Sequence, residues 1–337
     1  TVTSSAWKMT KPLRASLDLA KRILKSNRAT YLFCKGIKGV LRDGPIYTWK
    51  RVKRKICQDK KNRDWSKYDE KELAMQRQYP FPRQIKFSIL VPLYNTPEDF
   101  LKEMIASVQA QTYSNWELCL ADGSDDEHRQ VGQIVAGFQQ QDGRIQYRKL
   151  ERNLGISGNT NACIEMASGD YIALFDHDDL LHPSVLYENM KAICEQGADF
   201  IYTDELTFQG TTKNITVAHF KPDFAIDNLR ANNYICHFTV FQKSLLEKVG
   251  LFRSECDGSQ DFDMVLRLTE QAQKIVHIPK PLYFWRSHAQ SVASSVGAKP
   301  YVIQAAKKAI GDHLKRVGLD GEALDSVVSG VVRLPFS

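Results

Sequence analysis

The chain has 337 residues, of which 43% are apolar and 25% charged. That balance belongs to an ordinary globular protein and excludes a disordered, collagenous or coiled-coil chain. No uninterrupted apolar run approaches the ~20 residues that span a bilayer. The first thirty residues spread Lys8, Lys11, Arg14, Lys21, Arg22, Lys25 and Arg28 through the stretch where a signal peptide needs a compact apolar core. The expected location is therefore cytoplasmic, peripheral on the inner face of the cell membrane. Residues 1–80 hold 21 Lys and Arg against 7 Asp and Glu, a net +14, and the remainder carries −7. Such asymmetry points to a polyanion or an anionic membrane surface. The seven cysteines are widely spaced and lack a CxxC pair, so buried, reduced thiols are expected rather than a disulfide framework or a zinc site.

In chain order, residues 1–80 read as a basic helical arm. Within it TWKRVKRKI (48–56) places Trp49, Val52 and Ile56 on one helical face among Lys50, Arg51, Lys53, Arg54 and Lys55. That helix suits a lipid interface, and equally a packed helix or an oligomer interface; the sequence leaves these open. A main domain over 81–292 and a helical tail over 293–337 follow. IKFSILV (85–91), WELCLA (116–121), RIQYRKL (144–150) and YIALF (171–175) read as strands, with helices at 97–111, 131–141 and 156–167 between them. Pro92 is expected to end the first strand's ladder. This alternation predicts an α/β fold with a largely parallel, doubly wound sheet, whose ligands bind beyond the carboxyl ends of the strands.

The polar residues just after those strands carry the chemistry. Asp176, Asp178 and Asp179 follow the fourth strand, and three carboxylates within four residues repel unless a cation compensates. Hard divalent cations want such oxygen ligands. Asp122 ends the second strand, where it can take hydrogen bonds from a nucleobase or ribose, or cap the next helix. Tyr94 can stack on a base. Arg152-Asn153-Leu154-Gly155 offers one cation and backbone N–H groups at a helix start, near a phosphate. His277, between Val276 and Ile278, reads as a satisfied core histidine. Asp204 and Glu205 follow a strand and contact an acceptor or cap a loop, and Trp285 is core or a sugar platform.

VPLYNTPEDFLKEMIASVQAQTYSNWELCLADGSDD (91–126), RNLGISGNTN (152–161) and YIALFDHDDLLHP (171–183), in that order and spacing, resemble the family-2 glycosyltransferases of the GT-A fold. The resemblance continues through YTDE (202–205), FKPDF (220–224), GSQDFDMVLRL (258–268) and IPKPLYFWRSH (278–288). Its nearest type is the bacterial enzymes that build cell-surface polysaccharides. It implies a Rossmann-like nucleotide-binding sheet joined to an acceptor-binding half, a nucleotide-sugar donor (UDP- or dTDP-linked), a glycan or lipid-linked acceptor, and Mg²⁺ or Mn²⁺. It further implies that Pro92, Tyr94, Asn95 and Asp122 line the nucleoside pocket, and that Arg152, Asn153 and Gly155 flank the diphosphate. Asp176 and Asp178 would form the DxD motif, with Asp178 and His288 at the metal and Asp261 as catalytic base. Gln260 stands where such enzymes often have Glu.

Two other functions compete. A nucleotidyltransferase would share the acidic nucleotide crevice, but VPLYNTPED lacks the glycine- and lysine-rich phosphate loop expected of one. A catalytically inactive binding module tethered by the basic arm would not need Asp176, Asp178 and Asp261 intact. No aromatic pattern for nucleic acid is seen.

Overall fold

The structure, a computed structural model, describes residues 68–288, 300–325 and 332–333. The chain divides into Thr1–Arg63 and Asp64–Ser337. All described residues belong to the second unit, and the basic arm up to residue 67, with its Trp49 helix, lies outside them. Helix α1 (Glu70–Arg77) is capped by Asp69, whose carboxylate accepts from the N–H of Lys71 at 3.0 Å. Leu73 is buried and Gln76 accepts from Thr112 Oγ1 at 2.9 Å. Residues 70–77, assigned to the arm from sequence, thus pack as part of this unit.

Strand β1 (Phe87–Leu93), α2 (Glu98–Gln109), β2 (Trp116–Asp122), α3 (Gln130–Gln139), β3 (Ile145–Lys149), α4 (Gly155–Met166) and β4 (Tyr171–Leu174) follow the expected alternation. After them come β5 (Leu180–Leu181), α5 (Val185–Gln196), β6 (Phe200–Gln209), β7 (Thr211–His219), α6 (Ile226–Ala231) and β8 (Thr239–Gln242). The last elements are α7 (Leu245–Val249), α8 (Gln260–Gln271), β9 (Ile275–Arg286), α9 (Pro300–Arg316) and a short antiparallel pair, β10 (Leu324–Asp325) and β11 (Val332–Arg333). One sheet runs β3-β2-β1-β4-β8-β6-β9-β5, with β7 on β6. The first four strands are parallel, β8 is antiparallel to β4 and β6, and β9 is parallel to β6. The first half of the sheet is therefore doubly wound, as expected, and the second half is mixed.

Every residue of β1 and β2 is buried, because helices cover both faces of the sheet. On one face α2 supplies Leu101, Met104, Ile105 and Val108, spaced by three and four. On the other, α4, α8 and α9 bring Cys163, Val265, Ile310 and Leu314 into a second core, so α9 is built into the unit rather than trailing from it. Pro92 does not end β1. It lacks the N–H to continue toward β4, where pairing stops at Leu90, but on the β2 side the register runs on through Leu93 and Asp122.

At the amino edge of the sheet, buried Glu117 accepts from Lys86 Nζ, Ser88 Oγ and the Ser168 N–H, each at 2.6 Å. Burial opposes its ionisation, yet these donors bring the carboxyl down from 4.5 to about 2. A depressed folded value stabilises above the unfolded value and is lost as pH falls. Glu117→Gln is expected to lower stability at neutral pH, with the gap from wild type closing between pH 4.5 and about 2. Denaturant titrations across that range check this, and a pH-independent gap would contradict it.

Candidate active site

The carboxyl ends of β1, β2 and β4 lie side by side. Tyr94 projects there, 46% exposed. Asn95 takes a left-handed φ of 49°, which asparagine tolerates better than most residues. From that position it ties two loops together. Its N–H donates to Ser124 Oγ at 2.8 Å, its Nδ2 to Asp125 Oδ2 at 2.7 Å, and its Oδ1 accepts from the Asp125 N–H at 3.1 Å. Asp122 is turned inward and 1% exposed: Oδ1 accepts from the Ser124 N–H at 2.8 Å and Oδ2 from Tyr147 Oη at 2.7 Å. These contacts close the turn after β2, and the short helix that follows, Asp126–His128, is capped by Asp125 rather than by Asp122.

The expected phosphate site at the start of α4 is differently arranged. Asn153 Oδ1 accepts from the Gly155 N–H at 3.0 Å, while Asp257 Oδ1 accepts from the Ser157 N–H at 3.3 Å and from Ser157 Oγ. Gly155 has φ 77°, and a Cβ there would meet Asp257 Oδ2 at 2.9 Å. A carboxylate of the protein therefore already meets the Ser157 N–H in the first turn of α4. Arg152 stays exposed at the rim.

The acidic run after β4 divides three ways. Asp176, half-exposed, places Oδ2 3.2 Å from His237 Nε2. Asp178 Oδ2 lies 2.7 Å from His288 Nε2, so those two predicted partners do meet. Asp179 is fully buried, accepting from Tyr283 Oη at 2.5 Å and the Arg286 N–H at 2.6 Å. Burial, then the charges of Asp178 and Asp176, push the Asp179 carboxyl well above its ordinary value. Desolvation opposes ionisation of Asp176 too, but the hydrogen bond and charge of His237 prevail and hold it low. Ligand atoms of Asp176, Asp179 and His237 lie within 4.8 Å of one another. Three mutually repelling carboxylates beside two imidazoles form a donor set that fits Mg²⁺ or Mn²⁺.

Asp261 stands in the first turn of α8, its Oδ2 accepting from Asn233 Nδ2 at 2.9 Å. Burial pushes its carboxyl up, the His237 charge opposes, and the Asp176 charge adds to the rise. Gln260 accepts from the Gly258 N–H at 2.9 Å and so serves the turn.

The acceptor assignments of Asp204 and Glu205 need correction. Both are buried, at 2% and 3% exposure. Asp204 Oδ1 accepts from the Lys221 N–H at 2.8 Å and pairs with His277 Nε2 at 2.9 Å; Glu205 Oε2 lies 3.0 Å from Lys221 Nζ and 3.3 Å from His237 Nδ1. Neither has a face left for an acceptor. Trp285 is partly buried, its ring 5.5 Å from that of His237 and 6.2 Å from that of His219. His277 stacks on Tyr202 at 4.8 Å, as a satisfied core histidine should.

Residues 88–250 match the sequence model of glycosyl transferase family 2. They are a family-2 glycosyltransferase domain. Among relatives, the domain is similar to an uncharacterized protein, y4gI, of Sinorhizobium fredii (43% identical over 254 residues, 74% of this chain and 27% of that protein). It is also similar to the O-antigen biosynthesis protein RfbC of Myxococcus xanthus (31% over 243 residues, 71% and 19%). The chain thus spans about a quarter and a fifth of those two relatives. Among solved structures, S. aureus TarS 1–349 in complex with UDP-GlcNAc superposes with a TM-score of 0.57 at 20% identity, covering 68% of this chain and 66% of that one. The Pyrobaculum calidifontis mannosyltransferase PcManGT, in complex with GDP-Man and Mn²⁺, gives 0.51 at 14%, covering 75% and 71%. Both share the GT-A fold expected from the sequence.

The site also holds residues that sequence reasoning missed. His237 is a lone histidine in NNYICHF with no spacing to mark it. Tyr283 was within reach: it sits two residues before Trp285, on the same face of β9, and both rings flank His237.

Proposed function

We propose that this domain is an inverting, metal-dependent glycosyltransferase that moves a sugar from a UDP- or dTDP-linked donor to a hydroxyl of a glycan or lipid-linked acceptor. The assembly it would serve is a cell-surface polysaccharide. The observation that carries this reading is the placing of Asp261, held in the first turn of α8 by Asn233 Nδ2 at 2.9 Å and near enough to Asp176 and His237 for their charges to act on it. It stands across from the acidic cluster at the carboxyl edge of the sheet. Asp261 takes the proton of the acceptor hydroxyl as that oxygen attacks the anomeric carbon. The bond to the nucleoside diphosphate breaks, and its electron pair leaves on the phosphate oxygen. Asp176, Asp178 and Asp179, with His237 and His288 beside them, would hold the divalent cation, which when bound neutralises charge on the leaving diphosphate. Tyr94, Asn95 and Arg152 border the nucleotide, and Trp285 offers a surface for a sugar.

Calorimetry with UDP and dTDP in Mn²⁺ or Mg²⁺ tests the donor site. Binding should weaken with EDTA and with Asp178→Ala, and a panel of nucleotide sugars should show metal-dependent transfer or hydrolysis. Equal affinity in all conditions would remove the metal from the reading.

The net +14 of residues 1–80 supports attachment to an anionic membrane surface, each basic residue contributing about 1 kcal/mol near such a surface. The full chain should sediment with anionic vesicles at low salt and be released at high salt. Indifference to vesicles at low salt would assign the arm to packing or to self-association.

A further inference from the structure

Two stretches that the proposed chemistry leaves idle, YTDE (202–205) and FKPDF (220–224), interlock in the structure. Tyr202 Oη donates to the Pro222 carbonyl at 2.7 Å, and the Lys221 N–H donates to Asp204 Oδ1 at 2.8 Å. The Lys221 side chain is 4% exposed, and its ammonium has three acceptors for its three protons. These are Glu205 Oε2 at 3.0 Å, the Ile235 carbonyl at 2.5 Å and the His237 carbonyl. An ammonium buried this completely is costly unless its partners are fixed, and here two of the three are backbone atoms of a single segment, 232–238.

That segment touches both halves of the chemistry. Near its start Asn233 donates from Nδ2 to Asp261 Oδ2 at 2.9 Å. Near its end the His237 ring stacks on Tyr283 at 4.7 Å with an 8° interplanar angle and meets Asp176 at 3.2 Å. Between them the segment is cross-braced, since Cys236 Sγ donates to the Asn233 carbonyl at 3.1 Å. Side chains braced in this way are preorganised by their neighbours.

We propose that segment 232–238 is the positioning loop of the transfer step, with Asn233 orienting the general base Asp261 and buried Lys221 clamping the loop in place. The Asn233 amide occupies one oxygen of Asp261, and in this reading the other takes the acceptor proton. Lys221 acts only through the loop. The inference rests on the reading of Asp261 as base, and the test separates the two.

Four variants of the full chain, Asn233→Ala, Lys221→Met, their double and Asp261→Asn, are compared for transfer kcat, donor affinity by calorimetry, and thermal midpoint. Asn233→Ala is expected to lower kcat by about 10–100-fold, the scale of a small misplacement of a catalytic group, with donor Kd and midpoint near wild type. Lys221→Met should lower kcat comparably. The double variant should fall no further than the worse single, because both changes release one loop. Wild-type kcat in Asn233→Ala, or a donor Kd weakened as much as kcat, would overturn the role of Asn233. Multiplying losses in the double variant would overturn the clamp. If Lys221→Met fails to fold, Asn233→Ala alone decides. If instead Asp261→Asn retains full transfer while donor still binds, the base assignment is the part that fails.

Discussion

Asp261→Asn is expected to lower sugar transfer by about 10²–10⁴-fold, the usual contribution of a positioned acid–base group, while donor binding persists. The substitution keeps the shape and an oxygen for the Asn233 amide, and removes only the basicity. The pH dependence should change with it. The Asp261 carboxyl is raised above its ordinary value, first by burial and then by the charge of Asp176, with His237 opposing. A base must be ionised, so wild-type transfer should fall as pH drops through that raised value. The residual activity of the variant should lack that limb. Steady-state transfer across acid to neutral pH, paired with calorimetry for donor, checks both. A loss of donor affinity matching the loss of turnover would assign Asp261 to structure instead.

Asp263→Asn, two residues on, should act on stability. Asp263 is fully buried, and its Oδ2 accepts from Arg267 Nη2 at 2.7 Å and Nε at 2.9 Å, while Arg253 pairs with its other oxygen. Arg267, 5% exposed, also donates to the Val249 and Leu251 carbonyls at 2.6 and 3.0 Å. It thereby fastens α8 to the turn after α7. A neutral amide would strand a buried guanidinium, and breaking such a pair costs about 3–5 kcal/mol. Denaturant titration should show the shift, with Asp261→Asn close to wild type in the same assay. Equal stabilities for Asp263→Asn and wild type would mean that water or neighbouring carbonyls satisfy Arg267.

The nucleotide half was legible because its signals are local. A buried parallel strand is a continuous apolar run such as IKFSILV, and α2 repeats its apolar residues every three to four positions. Asp178 and His288, 110 residues apart, were joined by resemblance, and the structure brings them to 2.7 Å. Locally ambiguous residues fared less well. Asp204 and Glu205 look like any acidic pair after a strand, and only the return of Lys221 and His277 from elsewhere turns them inward. Pro92 reads as a terminator in sequence because sequence alone does not show which neighbouring strand its missing N–H faces. His237 has no local signature at all: its partners Asp176, Glu205 and Tyr283 come from three separate stretches.

Strand β9 lies between β6 and β5, and the region matched by the family ends at residue 250, before β9 begins. A fragment cut at that limit would keep the nucleotide-side loops and lose more than Asp261. β5 pairs with β9 through Leu180 and Leu181 and would have no strand to sit on. β6 would present bare N–H and C=O groups from Phe200 to Phe208, next to side chains that are almost all buried in the intact chain. An unprotected apolar edge of that length invites pairing with another copy. The boundary of family likeness and the boundary of a self-sufficient folded piece therefore fall at different places in this chain, and a soluble catalytic fragment has to run through β9 at least.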